Sequence, residues 1–192
     1  MIPLAFEFTL AESINKNSES RDEVADWLIR WLQMKMITVK NPAIVFDVDS
    51  TLIERKDHKI IRIDPIFRVF QFCRKHNIQC HIVTARPDFK EGRSELNRVM
   101  KDMNMSTSKF HSTHMRPPHL PIRSKNLEEF KSNCRDKICK ESNATIIANI
   151  GDNWHDLGFL SRSLKHLHDD KSYIAFFPGK CEASIKLPVE SR

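Results

Sequence analysis

Three short apolar runs limit what this chain can become. Ala43 to Phe46 is continuous rather than alternating, Ala144 to Ile150 is apolar apart from Thr145 and Asn149, and Ile78 to Val83 is interrupted by Gln79 and His81. Runs of that length without a polar face suit strands covered on both sides. The segments between them have helical spacing. Ile66, Val69, Phe70 and Cys73 form one stripe, and Leu96, Val99, Met100 and Met103 form a second. Leu127, Phe130, Cys134 and Ile138 form a third. Doubly covered strands alternating with helices predict βαβ units. The fold expected is therefore α/β, with a doubly wound, mostly parallel Rossmann-like sheet and helices on both faces.

Smaller signals fill in the outline. Asp64-Pro65 reads as N-cap and N1 of a helix. Ser20-x-x-Glu23 fits a capping box opening an earlier helix, whose stripe is Val24, Trp27, Leu28, Trp31 and Leu32. Trp27 and Trp31 are read as core. Residues 1–40 are expected to form a helical appendage packed on a domain spanning 41–192. Lys109 to Met115 and Ser172 to Phe177 read as further short strands. Lys56 to Ile63 has room for a small hairpin but not a lid, and Asn104 to Asn126, with Pro117, Pro118 and Pro121, reads as a loop.

Composition excludes several classes. At 192 residues the chain has the length of one domain, and its 29% charged residues and mean hydropathy of −0.46 exclude wholesale disorder. No apolar run approaches the ~18 residues of a membrane span. Met1 to Leu10 holds Glu7 and lacks a basic start, so no signal peptide is read and a cytoplasmic setting is expected. The five cysteines form no C-x-x-C and are read as reduced thiols. The net charge is +6, and the stretch from Arg86 to Lys140 alone carries 13 Lys or Arg against 7 Asp or Glu. That basic 86–140 segment leaves nucleic acid open as a partner. Its aromatics are only Phe89, Phe110 and Phe130, too sparse for a stacking platform.

In a parallel sheet, ligands bind beyond the carboxyl ends of the strands. Asp47-Val48-Asp49-Ser50-Thr51 follows the first run, Thr84-Ala85-Arg86 the second, and Gly151-Asp152-Asn153-Trp154-His155-Asp156 the third. Four carboxylates and a hydroxyl thus meet at one edge. Carboxylates so close repel unless a cation sits among them. An all-oxygen donor set suits magnesium, and a phosphate substrate would bring its own negative charge to such a metal. One D-x-D is expected by chance in a chain with this many Asp, so the combination of three strand-end motifs carries the weight.

Those motifs resemble a known family. Phe46-Asp47-Val48-Asp49-Ser50-Thr51-Leu52 is similar to the first motif of the haloacid dehalogenase (HAD) superfamily. Val83-Thr84-Ala85-Arg86 resembles its second, and Gly151 to Leu157 its fourth. Trp154, the Glu129-Phe130-Lys131-Ser132-x-x-Arg135 helix and Ile185-Lys186-Leu187-Pro188 resemble the branch of class B acid phosphatases and plant vegetative storage proteins. The resemblance implies a HAD-type sheet with little or no cap domain and a magnesium-dependent phosphomonoester hydrolase. Asp47 would be the nucleophile, forming an aspartyl-phosphate, and Asp49 the general acid and base. Thr84 and Lys131 would bind the phosphate, with Arg86 a further candidate. Asp47, Asp152, Asp156 and the backbone carbonyl of Asp49 would hold the metal. Lys125 is the alternative to Lys131.

Plainer readings stand beside these. Arg86 fits a surface ion pair equally well. His155 reads as a solvated histidine and Trp154 as a packing residue at the mouth. His111, His114 and His119 form a loose loop cluster without zinc-ligand spacing. Competing functions are a nucleic-acid 3′-end phosphatase and a non-catalytic storage or interaction protein on the same fold.

Overall fold

The computed structural model describes residues 18–153, 155–157, 173–176 and 182–187. The readings at Trp154, Cys181 and Pro188 lie outside the described residues. The chain is α/β. Strand β1 (Pro42–Phe46) lies at the centre, flanked by β4 (Gln79–Pro87) and β6 (Thr145–Gly151). Beyond β4 lies β5 (Ser112–Arg116). Beyond β6 lie β8 (Ala183–Lys186) and β7 (Tyr173–Phe176). The order is β5-β4-β1-β6-β8-β7; the first five are parallel, and β7 runs antiparallel to β8 at the edge. Taken in chain order, the parallel strands run 3-2-1-4-5, the Rossmann-like order. The order reverses between β1 and β6, which opens a crevice at their carboxyl ends.

The pleat of β1 explains why its run is apolar on both sides. Ala43 and Val45 enter a cluster with Cys134 and Ile138 of α4 (Ser124–Glu141). Ile44 and Phe46 enter the larger cluster. There they meet α1 (Ser18–Thr38), α2 (Asp64–Lys75) and α3 (Lys90–Asp102) through Leu28, Val69 and Val99. Helices therefore cover both faces. Val24, Ala25, Leu28 and Leu32 of α1 belong to the same core as the sheet, with Trp27 and Trp31 half-buried at its margin. β6 carries one extra residue against β1: Ala43 pairs with Ile146 but Ile44 with Ala148. The Trp31 indole donates to the carbonyl of the bulged residue, Ile147, at 3.0 Å.

Several local expectations need correction. Ser20 and Glu23 both lie inside α1, so they form no capping box at its start. Asp64 is the first residue of α2, not its cap. The cap position is Ile63, and the Asp64 carboxylate accepts from Arg62 Nε at 2.7 Å instead. β4 runs on through Thr84 and Arg86 to Pro87, with irregular pairing to β5 after Thr84. The segment read as a strand from Lys109 begins as a short 3-10 turn, Thr107–Lys109, and β5 starts at Ser112. β8 had no strand signal; four residues in a half-polar stretch are too few to show one.

Between β1 and α2 stands the hairpin of β2 (Ile53–Lys56) and β3 (Lys59–Arg62). Its two-residue turn places Asp57 at φ 48° and His58 at φ 61°. Two left-handed residues in succession are what a type I′ turn requires.

Phe46 is fully buried at the end of β1 and meets Phe70 and Phe110 edge-on, with centroids 6.4 and 6.2 Å away. Phe46→Ala is expected to lower stability by about 3–5 kcal/mol in urea unfolding. A cost below about 1 kcal/mol would mean that this ring does not join β1 to α2.

Candidate active site

Asp47 follows β1 directly. Its backbone N–H donates to the Ile150 carbonyl of β6 at 2.9 Å, so the ladder continues one residue past the strand and fixes the carboxylate at the crevice. The chain then turns sharply. The N–H groups of Thr51, Leu52 and Ile53 all reach the Val48 carbonyl, and Ser50 takes a positive φ of 57°. Asp152 likewise comes directly after a strand, β6.

Asp47, Asp152 and Asp156 are all buried, and each offers an oxygen within 4.8 Å of the others. Among the described residues this is the one such group of potential metal ligands. Into it points Lys131 of α4, which is 1% exposed. Its Nζ donates to Asp47 Oδ1 at 2.7 Å and to Asp156 Oδ1. The other Asp156 oxygen accepts from the Asn153 N–H at 3.0 Å, while the Asp156 N–H donates to the Asn153 carbonyl at 3.0 Å. Asp156 thus has both oxygens in use. Asp152 shares one of its own with the Asn153 amide at 2.9 Å.

Electrostatics follow from burial. Desolvation, opposed by Lys131 and reinforced by Asp156 and Asp152, pushes the Asp47 carboxyl well above the usual range. Desolvation and Asp156 raise Asp152 to about 7. Burial opposes the charge on Lys131, but Asp156 and Asp47 outweigh it and hold the amine above its ordinary value. One ammonium cannot neutralise three carboxylates. A further cation among them would relieve the excess, and the all-oxygen donors fit a hard divalent ion. Oxygens of Asp47 and Asp152 not engaged by Lys131 and Asn153 are the ones suited to hold it.

The site contains fewer carboxylates than the sequence suggested. Asp49 does not join the buried group. Its side chain is 53% exposed and turned to Arg86, which grips both oxygens at 2.8 and 2.7 Å. The Asp49 hydrogen bonds and charge raise the Arg86 guanidinium above its ordinary value despite partial burial. Arg86 is therefore in an ion pair, as its plainer reading held, but one that links two of the predicted site residues. Thr84 is buried within β4, three residues before its end, and its hydroxyl accepts from the Arg86 N–H at 3.3 Å. Lys125 lies exposed in the first turn of α4, away from the cluster that Lys131 enters.

His155 is not solvated. Its side chain is 15% exposed and its Nε2 stands 3.6 Å from Asp156 Oδ1, too far for a hydrogen bond. Burial lowers its pKa and favours the neutral ring. Nor are the three histidines one cluster. His111 Nδ1 accepts from the Cys80 N–H at 3.1 Å, His114 bonds Ser112 within β5, and His119 is exposed.

Sequence reasoning names Arg135 without a role and does not reach Arg116, whereas it reads Gly151 as keeping the backbone close to the metal. Arg135, one helical turn after Lys131, is buried and donates to the Asp156 carbonyl at 3.2 Å. The i,i+4 spacing of two basic residues beside an apolar stripe was the available signal. Arg116 holds the Ala85 carbonyl at 2.9 Å and reaches the carbonyls of Pro117 and Leu120. Gly151 is a further support: a Cβ there would collide with the Asp156 carboxylate.

No protein-family model matches the chain, and no curated protein matches it either.

Two outcomes are expected. Lys131→Met leaves two buried carboxylates without their cation and should cost about 3–5 kcal/mol in metal-free urea unfolding; an unchanged midpoint would remove Lys131 from the centre. The second concerns pH. An acid whose pKa is higher folded than unfolded favours the folded state at low pH. The Asp152 contribution is complete below about 4 and lost as pH rises through about 7. The melting temperature in EDTA should therefore fall over that window, and Asp152→Asn should flatten the decline. Stabilisation by an added divalent cation should grow over the same range. A pH-independent cation effect would contradict this.

Proposed function

We propose that the chain is a magnesium-dependent phosphomonoester hydrolase of the HAD type. The observation that carries this reading is the Lys131-bridged carboxylate group at the point where the sheet order reverses. The sequence motifs bring the same residues to that edge independently. A bound divalent cation would neutralise charge on the phosphoryl oxygens. Asp47 and Asp152 would hold it, with the Asp49 backbone carbonyl implied by the family resemblance and Asp156 in support.

The residues then have distinct tasks. An Asp47 carboxylate oxygen attacks phosphorus, and the bond to the leaving alcohol breaks. Asp49 gives that alcohol its proton. An aspartyl-phosphate remains on Asp47. Asp49, now a carboxylate, takes a proton from a water that attacks the same phosphorus. The acyl-phosphate bond breaks, which restores Asp47 and releases inorganic phosphate. Lys131 neutralises charge on the nucleophile and the transferring group, and Thr84 donates its hydroxyl to a phosphoryl oxygen.

The Asp49–Arg86 fork bears on this scheme. A proton and the guanidinium compete for the same two oxygens, so Asp49 can act as an acid only when the fork frees one. An arriving phosphate offers Arg86 a second anion and thereby frees Asp49. Two strands of four residues are too short for a lid, in keeping with a member of the family that has little or no cap domain.

Asp47→Asn should reduce magnesium-dependent hydrolysis of an aryl phosphate to background while the fold, read by circular dichroism, stays intact. Full activity in that variant would exclude the mechanism.

A further inference from the structure

The β2–β3 hairpin carries charge that the proposed reaction does not use. Glu54 is bound by Arg21 at 2.7 Å, and Arg62 pairs with Asp64 and lies over the Phe67 ring. Arg55, Lys56 and Lys59 are exposed and make no ion pair among the described residues. Lys56 and Lys59 lie directly opposite one another in the ladder. Like charges so placed destabilise a hairpin. Asp57, in the turn, offsets only part of this excess.

The hairpin is fixed beside the carboxylates. It leaves the Asp47–Asp49 turn directly, and its base is closed by the Ile63 N–H on the Leu52 carbonyl at 3.0 Å. At about 3.3 Å per residue, the strand advances about 10 Å from Ile53 to Lys56. The basic tip therefore stands about three nucleotides from the base of the hairpin, at ~3.4 Å each along a duplex axis. The segments after β4 and β5 open on the same sheet edge and add Lys90, Arg123 and Lys125, all exposed. Phe89, at the N-cap of α3 and 44% exposed, puts an aromatic ring there as well.

We propose that this hairpin binds a phosphodiester backbone, and that the substrate is the phosphorylated end of a nucleic-acid strand. The inference rests on the phosphomonoesterase reading of the Asp47 site. The terminal phosphate occupies that site while backbone phosphates further along the strand meet Lys56 and Lys59, which share one face of the hairpin, and Arg55 on its other face adds positive charge. Phe89 offers a face on which a base can stack. A mononucleotide has no backbone to reach the hairpin, and a phosphorylated side chain brings no regular row of charge. Backbone contacts carry no sequence information, so recognition is independent of base sequence.

The test uses the full chain and ten-nucleotide DNAs phosphorylated at the 3′ or the 5′ end. Fluorescence anisotropy in EDTA, from 50 to 200 mM salt, reads binding apart from turnover. Two contacts at ~0.7 each, from Lys56 and Lys59, predict a log–log salt slope of about −1.4 for a single strand. The variant Arg55→Gln/Lys56→Gln/Lys59→Gln should lose most of that slope and at least tenfold in affinity. Its hydrolysis of an aryl phosphate should match the wild type. Phe89→Ala should weaken binding without changing the slope. Equal affinity and slope in the triple variant, or equal kcat/KM for the oligonucleotides and a mononucleotide, would overturn the proposal. If the wild type hydrolyses no phosphomonoester, the phosphatase reading and the substrate assignment fail together. Anisotropy then still decides whether the hairpin binds nucleic acid.

Discussion

The crevice depends on one buried ammonium. Lys131 reaches Asp47 from 84 residues away and holds Asp156 with the same Nζ. Without it, the carboxylates of Asp47 and Asp156 would lose the one ammonium that binds both of them. Buried ion pairs contribute little net stability, because desolvation offsets the attraction. Their effect here is positional. Lys131 ties one oxygen of Asp47 to α4.

The parts around Lys131 divide by exposure. On the buried side, α4 supplies Lys131 and Arg135 one turn apart, and both grip Asp156, by side chain and by carbonyl. Gly151 lets β6 pass against that carboxylate. On the open side, Asp49 and Arg86 bind each other at the solvent boundary, and the hairpin rises from the same turn. The buried half cannot rearrange without stranding a charge. The open half can exchange its partners for an anion at small cost, because water screens what is broken. A rigid floor below a responsive rim suits phosphoryl transfer, which needs fixed charge at the reacting group and movable protons around it.

Local patterns carried the framework a long way. Ala43 to Phe46 is a strand because continuous apolarity reports burial on both faces, and the segments at Ile78 and Ala144 keep enough apolar residues to pair on either side of it. The stripes at Ile66, Leu96 and Leu127 are helices because only a 3.6-residue period aligns them. Failures fell where a local signal had a rival. Asp64 looked like a cap, but Arg62 two residues earlier captures its carboxylate. Thr84 to Pro87 looked like a loop because polarity usually ends a strand. At the carboxyl edge, a strand can extend with polar residues, and Arg116 ties the Ala85 carbonyl there.

The sequence alone determined the fold class, the edge of the sheet where the chemistry gathers, and Asp47, Asp152 and Asp156 as members of that gathering. Periodicity and strand-end position are local properties, so a linear reading reaches them. Tertiary structure decided that Lys131 rather than Lys125 enters the cluster, that Asp49 turns outward to Arg86, and that Arg135 supports Asp156. Each depends on how far α4 is rotated and how the strands are spaced across the sheet. Those quantities come from the packing of the whole core, and no single segment contains them.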